Sequence, residues 1–161
     1  MENDFLKELE FLGITARLKR LSDTLSYSIK DLYKSQGIDI EPSWHLVFLI
    51  LKNEKEITLT EIAGALNFSQ PAMTKMITRM KNKGYVEISI SKKDTRKKLI
   101  FLSEKAKKEL PKFEKVWDAG QKSIRQILKD NMDFFNNLEE FENQILLKNF
   151  KDRALENLRN D

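Results

Sequence analysis

Residues 59–102 have the sequence LTEIAGALNFSQPAMTKMITRMKNKGYVEISISKKDTRKKLIFL, and its pattern predicts helix, tight turn, helix, strand, basic loop and strand. The first helix carries apolar side chains at the i, i+3, i+4, i+7 spacing of one buried stripe, which are Leu59, Ile62, Ala63 and Leu66. Ser69 is an N-cap residue type for the second helix, and Gly84 can end it in the left-handed conformation. The stretch therefore predicts two helices joined by a turn at Asn67.

The second helix, residues 69–83, has one apolar face and one polar face. Its apolar stripe consists of Met73, Met76, Ile77 and Met80. The opposite face holds hydrogen-bonding and cationic side chains without acids, which are Gln70, Thr74, Lys75, Thr78, Arg79 and Asn82. Two helices with such a face are typical of a helix-turn-helix, whose second helix enters the major groove of DNA. An ordinary pair of surface helices has the same pattern and stays open as the alternative.

Two β-rich runs, residues 85–90 and 99–102, flank a basic loop at residues 91–98. Five of the eight loop residues are basic and one is acidic. A hairpin tipped with cations beside a helix-turn-helix predicts a wing that reaches a neighbouring phosphate or the minor groove. A run of charge is more often a solvated loop, but the preceding helix pair favours the wing.

The positive charge of the chain is concentrated in this stretch. From Ser69 to Lys98 there are nine Lys or Arg and two acids, a net charge of +7, whereas the whole chain carries +4. The remainder therefore carries a net charge of −3. Each Lys or Arg placed on a phosphate releases condensed counterions, so the stretch predicts salt-sensitive affinity for nucleic acid.

These motifs resemble the MarR (multiple-antibiotic-resistance regulator) family of dimeric winged helix-turn-helix transcription regulators. The resemblance depends on the order of the two helices, on Gly84-Tyr85-Val86, on Asp94-x-Arg96 in the wing and on Leu102-Ser103-Glu104-Lys105-Ala106. It implies that Arg96 enters the minor groove and that Asp94 holds nearby basic groups in place. It also implies a repressor that binds a palindromic double-stranded DNA operator as a homodimer, and family members often bind small aromatic or anionic effectors.

The residues expected to contact DNA lie on the second helix and on the wing. The helix contributes Ser69, Gln70, Ala72, Thr74, Lys75, Thr78 and Arg79, and the wing contributes Lys92, Lys93, Asp94, Arg96 and Lys97. Gln70 and Thr74 are expected at base edges, and the two cations of the helix at phosphate or guanine. The main alternative is a winged-helix module that binds an acidic protein partner, because a basic face suits either partner.

The segments around this stretch predict long amphipathic helices and a mainly α fold with a small β wing. Residues 1–36 are assigned to an N-terminal dimerisation helix that Gly13 can interrupt, residues 41–102 to the DNA-binding lobe and residues 103–161 to C-terminal dimerisation helices. A heptad spacing runs through Ala106, Leu110, Phe113, Trp117, Gly120, Ile124 and Ile127. Such a seam favours a partner helix, and a monomeric bundle is the alternative.

Other classes of site have little support in the sequence. The chain has no cysteine and one histidine, His45, without acids clustered beside it, so we expect no metal, no cofactor and no catalytic site. It has no glycine-rich phosphate loop and no nucleophile elbow, and we expect no enzyme activity. No apolar run approaches the roughly 18 residues of a membrane span, and the acidic N-terminus is unlike a secretion signal. A cytoplasmic protein is therefore expected.

Aromatic side chains offer one further candidate site. Tyr27, Tyr33, Trp44 and Trp117 could line a cavity for a small effector. Aromatic residues at helical spacing are more often part of a core, and the sequence assigns no effector site.

Overall fold

The computed structural model describes residues 4–54, 56–92 and 94–160, which form a mainly helical chain with a three-stranded antiparallel sheet. The elements before the wing are α1 (Phe5–Glu8), α2 (Ile14–Ser35), α3 (Trp44–Asn53), β1 (Ile57–Thr58), α4 (Leu59–Ala65) and α5 (Gln70–Asn82). They are followed by β2 (Val86–Ile90), β3 (Lys98–Leu102), α6 (Glu104–Ile127), α7 (Asp133–Leu147) and α8 (Phe150–Asn160). This order confirms the predicted winged helix-turn-helix class. The chain divides into two compact units, one ending at Val116 and the other beginning at Trp117.

The sheet is small and has the order β1-β3-β2, with β3 in the centre. Ile100 of β3 lies opposite Ile57 on one side and Ile88 on the other. Ile100 is buried, whereas Ile88 on the edge strand is partly exposed. The two predicted runs are therefore the two long strands of a wing, and Ile57 lies in the short edge strand β1.

An aromatic cluster holds α3, the start of β2 and α6 together. Its members, Trp44, Phe48, Tyr85 and Phe113, meet edge to face with ring centroids 5.4–6.1 Å apart. All four are buried. The Tyr85 hydroxyl donates to Glu109 at 3.2 Å, and burial raises the pKa of Tyr85 well above its ordinary value. Edge-to-face contacts suit the charge distribution of aromatic rings, so the cluster makes a rigid base for the wing.

The N-terminal helix is interrupted just before Ile14, next to Gly13, the residue at which the sequence allowed a break. Residues 9–13 form turns between α1 and α2, and Glu10 has a φ of +43°. A Cβ on Gly13 would lie 2.3 Å from the Leu6 carbonyl oxygen, so the chain can approach itself this closely only at a glycine. Asp4 accepts from the Leu6 amide and forms a two-bond ion pair with Arg20 of α2. These contacts hold α1 against α2.

The C-terminal helices differ in how their apolar residues are covered. α6 continues through Pro111, and its residues Ala106, Leu110 and Phe113 are buried. In the second unit, three large apolar side chains at the junction of α7 and α8 are 77–80% exposed, which are Leu146, Leu147 and Phe150.

Among the described residues, no helix is both apolar enough and long enough to span a bilayer.

Candidate nucleic-acid interface

The helix-turn-helix begins and ends at the residues that its local chemistry predicts. α4 opens with a capping box, in which the Thr58 hydroxyl accepts from the Glu61 amide and the Glu61 carboxylate accepts from the Thr58 amide. Asn67 makes the turn with a φ of +53°. The Ser69 side chain accepts from the Ala72 amide at 3.4 Å and opens α5, and Gly84 follows its end with a φ of +76°. The predicted helix pair is confirmed.

α5 has its two faces as expected. Met73, Ile77 and Met80 are buried against the lobe, and Met76 is partly buried. The side chains predicted to contact DNA are all exposed, which are Ser69, Gln70, Ala72, Thr74, Lys75, Thr78 and Arg79. The Thr74 hydroxyl donates to the Gln70 carbonyl at 2.8 Å. Its oxygen is therefore left to accept from a base amino group, because its single donor is used within the helix.

The wing tip is closed by its own hydrogen bonds. The Ser91 amide donates to the Lys97 carbonyl, and the Lys97 amide donates to the Asp94 carbonyl, both at 2.9 Å. Asp94 Oδ1 accepts from the Arg96 amide at 3.1 Å. In the described part of the wing, Asp94 therefore shapes the backbone around Arg96 and forms no ion pair with a cation. Lys92, Asp94, Arg96 and Lys97 are exposed, and Lys93 lies outside the described residues.

The end of α5 is fixed to the sheet and to α6 through Ser103. The Ser103 hydroxyl donates to the Gly84 carbonyl at 2.6 Å and accepts from the Ala106 amide at 3.1 Å. The Ser103 amide donates to the Tyr85 carbonyl at 3.1 Å. Lys105 donates to the Lys83 carbonyl, and its ammonium lies 4.2 Å from the centre of the Tyr85 ring. The contacts of Ser103 and Lys105 therefore join α5, which we call the recognition helix, to the base of the wing and to the start of α6.

Replacing Ser103 with alanine is expected to lower the free energy of unfolding by about 1–2 kcal/mol, because a helix cap and a buried acceptor lose their partner together. Urea unfolding followed by circular dichroism measures this difference. Ser28→Ala is the matched control, because the Ser28 hydroxyl is exposed and, among the residues that the structure describes, bonds only to the Thr24 carbonyl of its own helix. Equal stability of the two variants would contradict the role of Ser103 in fixing the end of α5 to the sheet and to α6.

Two contacts at the C-terminal half of α5 were not foreseen. Arg79 donates to Glu41 at 2.8 Å, and Lys83 pairs with Asp39. Both acids belong to the segment between α2 and α3, about 40 residues away in sequence. No short-range pattern brings such residues together, so only the folded chain reveals these contacts.

A groove of about 380 Å³ lies beside the middle of α5. Its lining includes Trp44 at the start of α3 and the side chains of Lys75 and Arg79. Of the four aromatic residues considered for a cavity, Tyr33 and Trp44 are buried and Tyr27 is 71% exposed. Of these four, Trp44 is the one residue that lines this groove. Within the described residues, no group of three His, Cys, Asp or Glu could hold a metal ion.

The comparison with known protein families selects the same segment of the chain. The model of the MarR family matches residues 40–98. The matched segment contains every side chain that the sequence predicts at the DNA, on both α5 and the wing. MarR proteins are transcription regulators and not enzymes, in agreement with the expectation from the sequence.

Solved MarR-type structures share the fold over most of the chain. A complex of MepR from S. aureus with DNA aligns with a TM-score of 0.72 at 18% identity and covers 82% of this chain and 97% of the other. A mutant MarR from E. coli with operator DNA aligns with a TM-score of 0.66 at 21% identity and covers 89% and 99%. A regulator of M. tuberculosis with DNA gives 0.70 at 16% identity, covering 83% and 96%. No curated protein sequence matches the chain.

Proposed function

We propose that this protein is a sequence-specific regulator of transcription that binds double-stranded DNA and represses the genes beside its operator. One observation carries the proposal. The recognition helix, with its exposed cations, and the wing, with exposed cations at its tip, lie in one lobe, and the model of the MarR family matches this part of the chain. The structural neighbours solved with DNA support this assignment. As expected from the sequence, the recognition helix would lie in the major groove and the wing in the minor groove.

The exposed residues of α5 divide into two roles in this proposal. Gln70 and Thr74 are short hydrogen-bonding side chains suited to base edges, and Gln in particular can bond an adenine with two hydrogen bonds. Lys75 has no ion pair among the described residues, so its ammonium is available for a phosphate or a guanine. Phosphate contacts fix the position of the helix, whereas base contacts supply the sequence preference.

The wing would supply a minor-groove contact and further backbone contacts. Arg96 has an exposed side chain on a backbone that Asp94 has already shaped. Less conformational freedom is then lost when the guanidinium enters a groove, which favours binding. Lys92 and Lys97 are exposed on the same hairpin and would hold the phosphates beside it.

We also propose a homodimer that binds a palindromic operator. Large apolar side chains are exposed near the N-terminus, where Phe11 and Leu12 are 90% and 85% exposed, and at the junction of α7 and α8. Contiguous exposed apolar residues often mark an interface between proteins. A two-fold dimer would place two recognition helices about 34–36 Å apart, one turn of DNA. Sedimentation equilibrium should give twice the chain mass, and a strictly monomeric protein would overturn this assembly.

Selection of bound duplexes from a random pool, at two salt concentrations, tests the function. The expected result is a palindromic site with half-sites about one helical turn apart and an affinity that falls steeply as salt rises. The absence of sequence preference together with a flat salt response would overturn the proposal. It would favour the acidic protein partner that the basic face also allows.

We also propose that a small aromatic anion binds the groove beside α5. Lys75 supplies unpaired positive charge there, Arg79 is paired with Glu41 of the same lining, and Trp44 supplies an apolar wall. Titrating a Trp117→Phe variant with benzoate should change the fluorescence of Trp44, whereas uncharged benzamide should change it less. An unchanged spectrum with benzoate would contradict an aromatic-anion site in this groove.

A further inference from the structure

The segment between α2 and α3 places two carboxylates along the recognition helix. Residues 38–41 belong to no helix or strand, and Ile38 and Ile40 are buried with 5% and 6% exposure. Asp39 is exposed and Glu41 is partly exposed, so burial alternates along the segment and the two acids point away from its buried side. We call residues 38–41 the acidic strip. Its two isoleucines anchor its two acids in fixed positions.

The acids of the strip are in register with Arg79 of α5 and with Lys83, the residue that caps its C-terminal end. Glu41 accepts from Arg79 at 2.8 Å, and Asp39 pairs with Lys83. Arg79 and Lys83 are four residues apart and therefore lie on the same side of the helix end. A spacing of two on the strip thus matches a spacing of four on the helix, so both pairs form side by side.

This pairing changes how the positive charge of α5 is distributed. Lys75, one turn before Arg79, forms no ion pair among the residues that the structure describes. Lys81 also forms no ion pair among these residues, whereas Arg79 and Lys83 each face a carboxylate. The Arg79 and Glu41 side chains remain 54% and 32% exposed, so the pair is accessible to a ligand and its charges are not locked inside the protein. The positive charge of Lys75 and Lys81 is therefore available to a ligand, whereas that of Arg79 is shared with Glu41.

We propose that Glu41 competes with DNA for Arg79 and so limits how tightly the protein binds any duplex. This inference rests on the proposed DNA-binding function. When the helix enters the major groove, Arg79 either leaves Glu41 or brings the carboxylate towards the phosphates. The first course loses an ion pair and the second adds repulsion between like charges, so both weaken binding. Because phosphates are the same in every sequence, the effect is uniform across duplexes.

The direct test is Glu41→Gln, which keeps a hydrogen-bonding side chain of the same length and removes its charge. Its affinity for the selected operator and for an unrelated duplex should rise by about two- to fivefold near physiological salt, the range expected for an exposed ion pair. The plot of log affinity against log salt should become steeper by about 0.9, because Arg79 now displaces one more counterion. Fluorescence anisotropy at several salt concentrations measures both quantities.

Two further variants separate this effect from a general change of charge. Glu139→Gln removes one negative charge from α7, where Glu139 is exposed and forms no ion pair within the described chain, and it should leave the affinity unchanged. Combining Glu41→Gln with Arg79→Ala should abolish the gain, because the freed cation is then absent. Thermal unfolding of each variant establishes that it is folded at the assay temperature.

The outcomes are distinct for the inference and for the function that it presupposes. A gain in Glu41→Gln that needs Arg79 and is equal on both duplexes supports the inference. No gain, or a gain that persists without Arg79, overturns it while the DNA-binding function stands. A wild-type protein without salt-dependent affinity for duplex DNA overturns both.

Discussion

Replacing Arg96 with alanine is expected to weaken binding to the operator by about 1–3 kcal/mol, which is about 5- to 150-fold in affinity. Arg96 is exposed at the wing tip, and its amide donates to Asp94 Oδ1 at 3.1 Å. The backbone that presents the guanidinium is thus already ordered before DNA arrives. A narrow minor groove concentrates negative potential, which makes an arginine placed there worth more than an arginine on the outer backbone. Anisotropy titration with the selected operator measures the loss.

The control for Arg96 is Lys92→Ala on the same hairpin. A lysine on a phosphate should weaken binding almost equally for all sequences and reduce the salt slope by about 1. The alanine variant at Arg96 should instead lose more affinity for the operator than for an unrelated duplex. Arg96→Lys should recover part of the loss, since the charge returns without the planar guanidinium. Unchanged operator affinity in Arg96→Ala would rule out the minor-groove role.

Replacing Phe48 with alanine should lower the free energy of unfolding by about 3–5 kcal/mol, the usual cost of removing a buried phenylalanine. Its side chain is fully buried and meets the rings of Tyr85 and Phe113 edge to face at 5.6 and 5.4 Å. The substitution leaves a cavity at the centre of the aromatic cluster. Urea unfolding at one fixed protein concentration measures the change, because association would otherwise alter the apparent stability.

Leu49→Ala is the matched control for Phe48. Leu49 is the next residue of α3 but is 42% exposed, so its truncation removes less buried surface and should cost much less. If the two variants lost the same stability, the aromatic cluster would not be the principal support of the lobe. If Phe48→Ala stays folded at low temperature, its DNA affinity there should also fall, because the cluster supports the base of the wing.

The recognition helix shows how far local chemistry alone carries a prediction. The helix begins after the N-cap Ser69 and ends before Gly84. The four-residue spacing of its apolar side chains determines which face is buried. The wing was equally predictable, because two β-rich runs around a charged loop have few other ways to pair. The same local reasoning could not predict the ion pair of Arg79 with Glu41, because Glu41 belongs to a different segment.

The N-terminal region shows a different limit. Periodicity indicated one helix over residues 4–36 and marked Gly13 as a point of interruption. Where the chain turns depends on how closely Gly13 approaches the Leu6 carbonyl and on the pairing of Asp4 with Arg20. The periodicity of apolar residues does not predict these contacts, because they depend on how α1 packs against α2.

The sequence by itself determined the helix-turn-helix, the wing and the concentration of cations on them, because caps, turn residues and apolar periods act over a few neighbouring residues. The folded chain alone decided which of those cations are paired. The acidic strip reaches α5 because Ile38 and Ile40 are buried in the lobe, and burial is a property of the whole lobe. Apolar burial brings distant segments together, and the charges that they carry then meet as a consequence of packing.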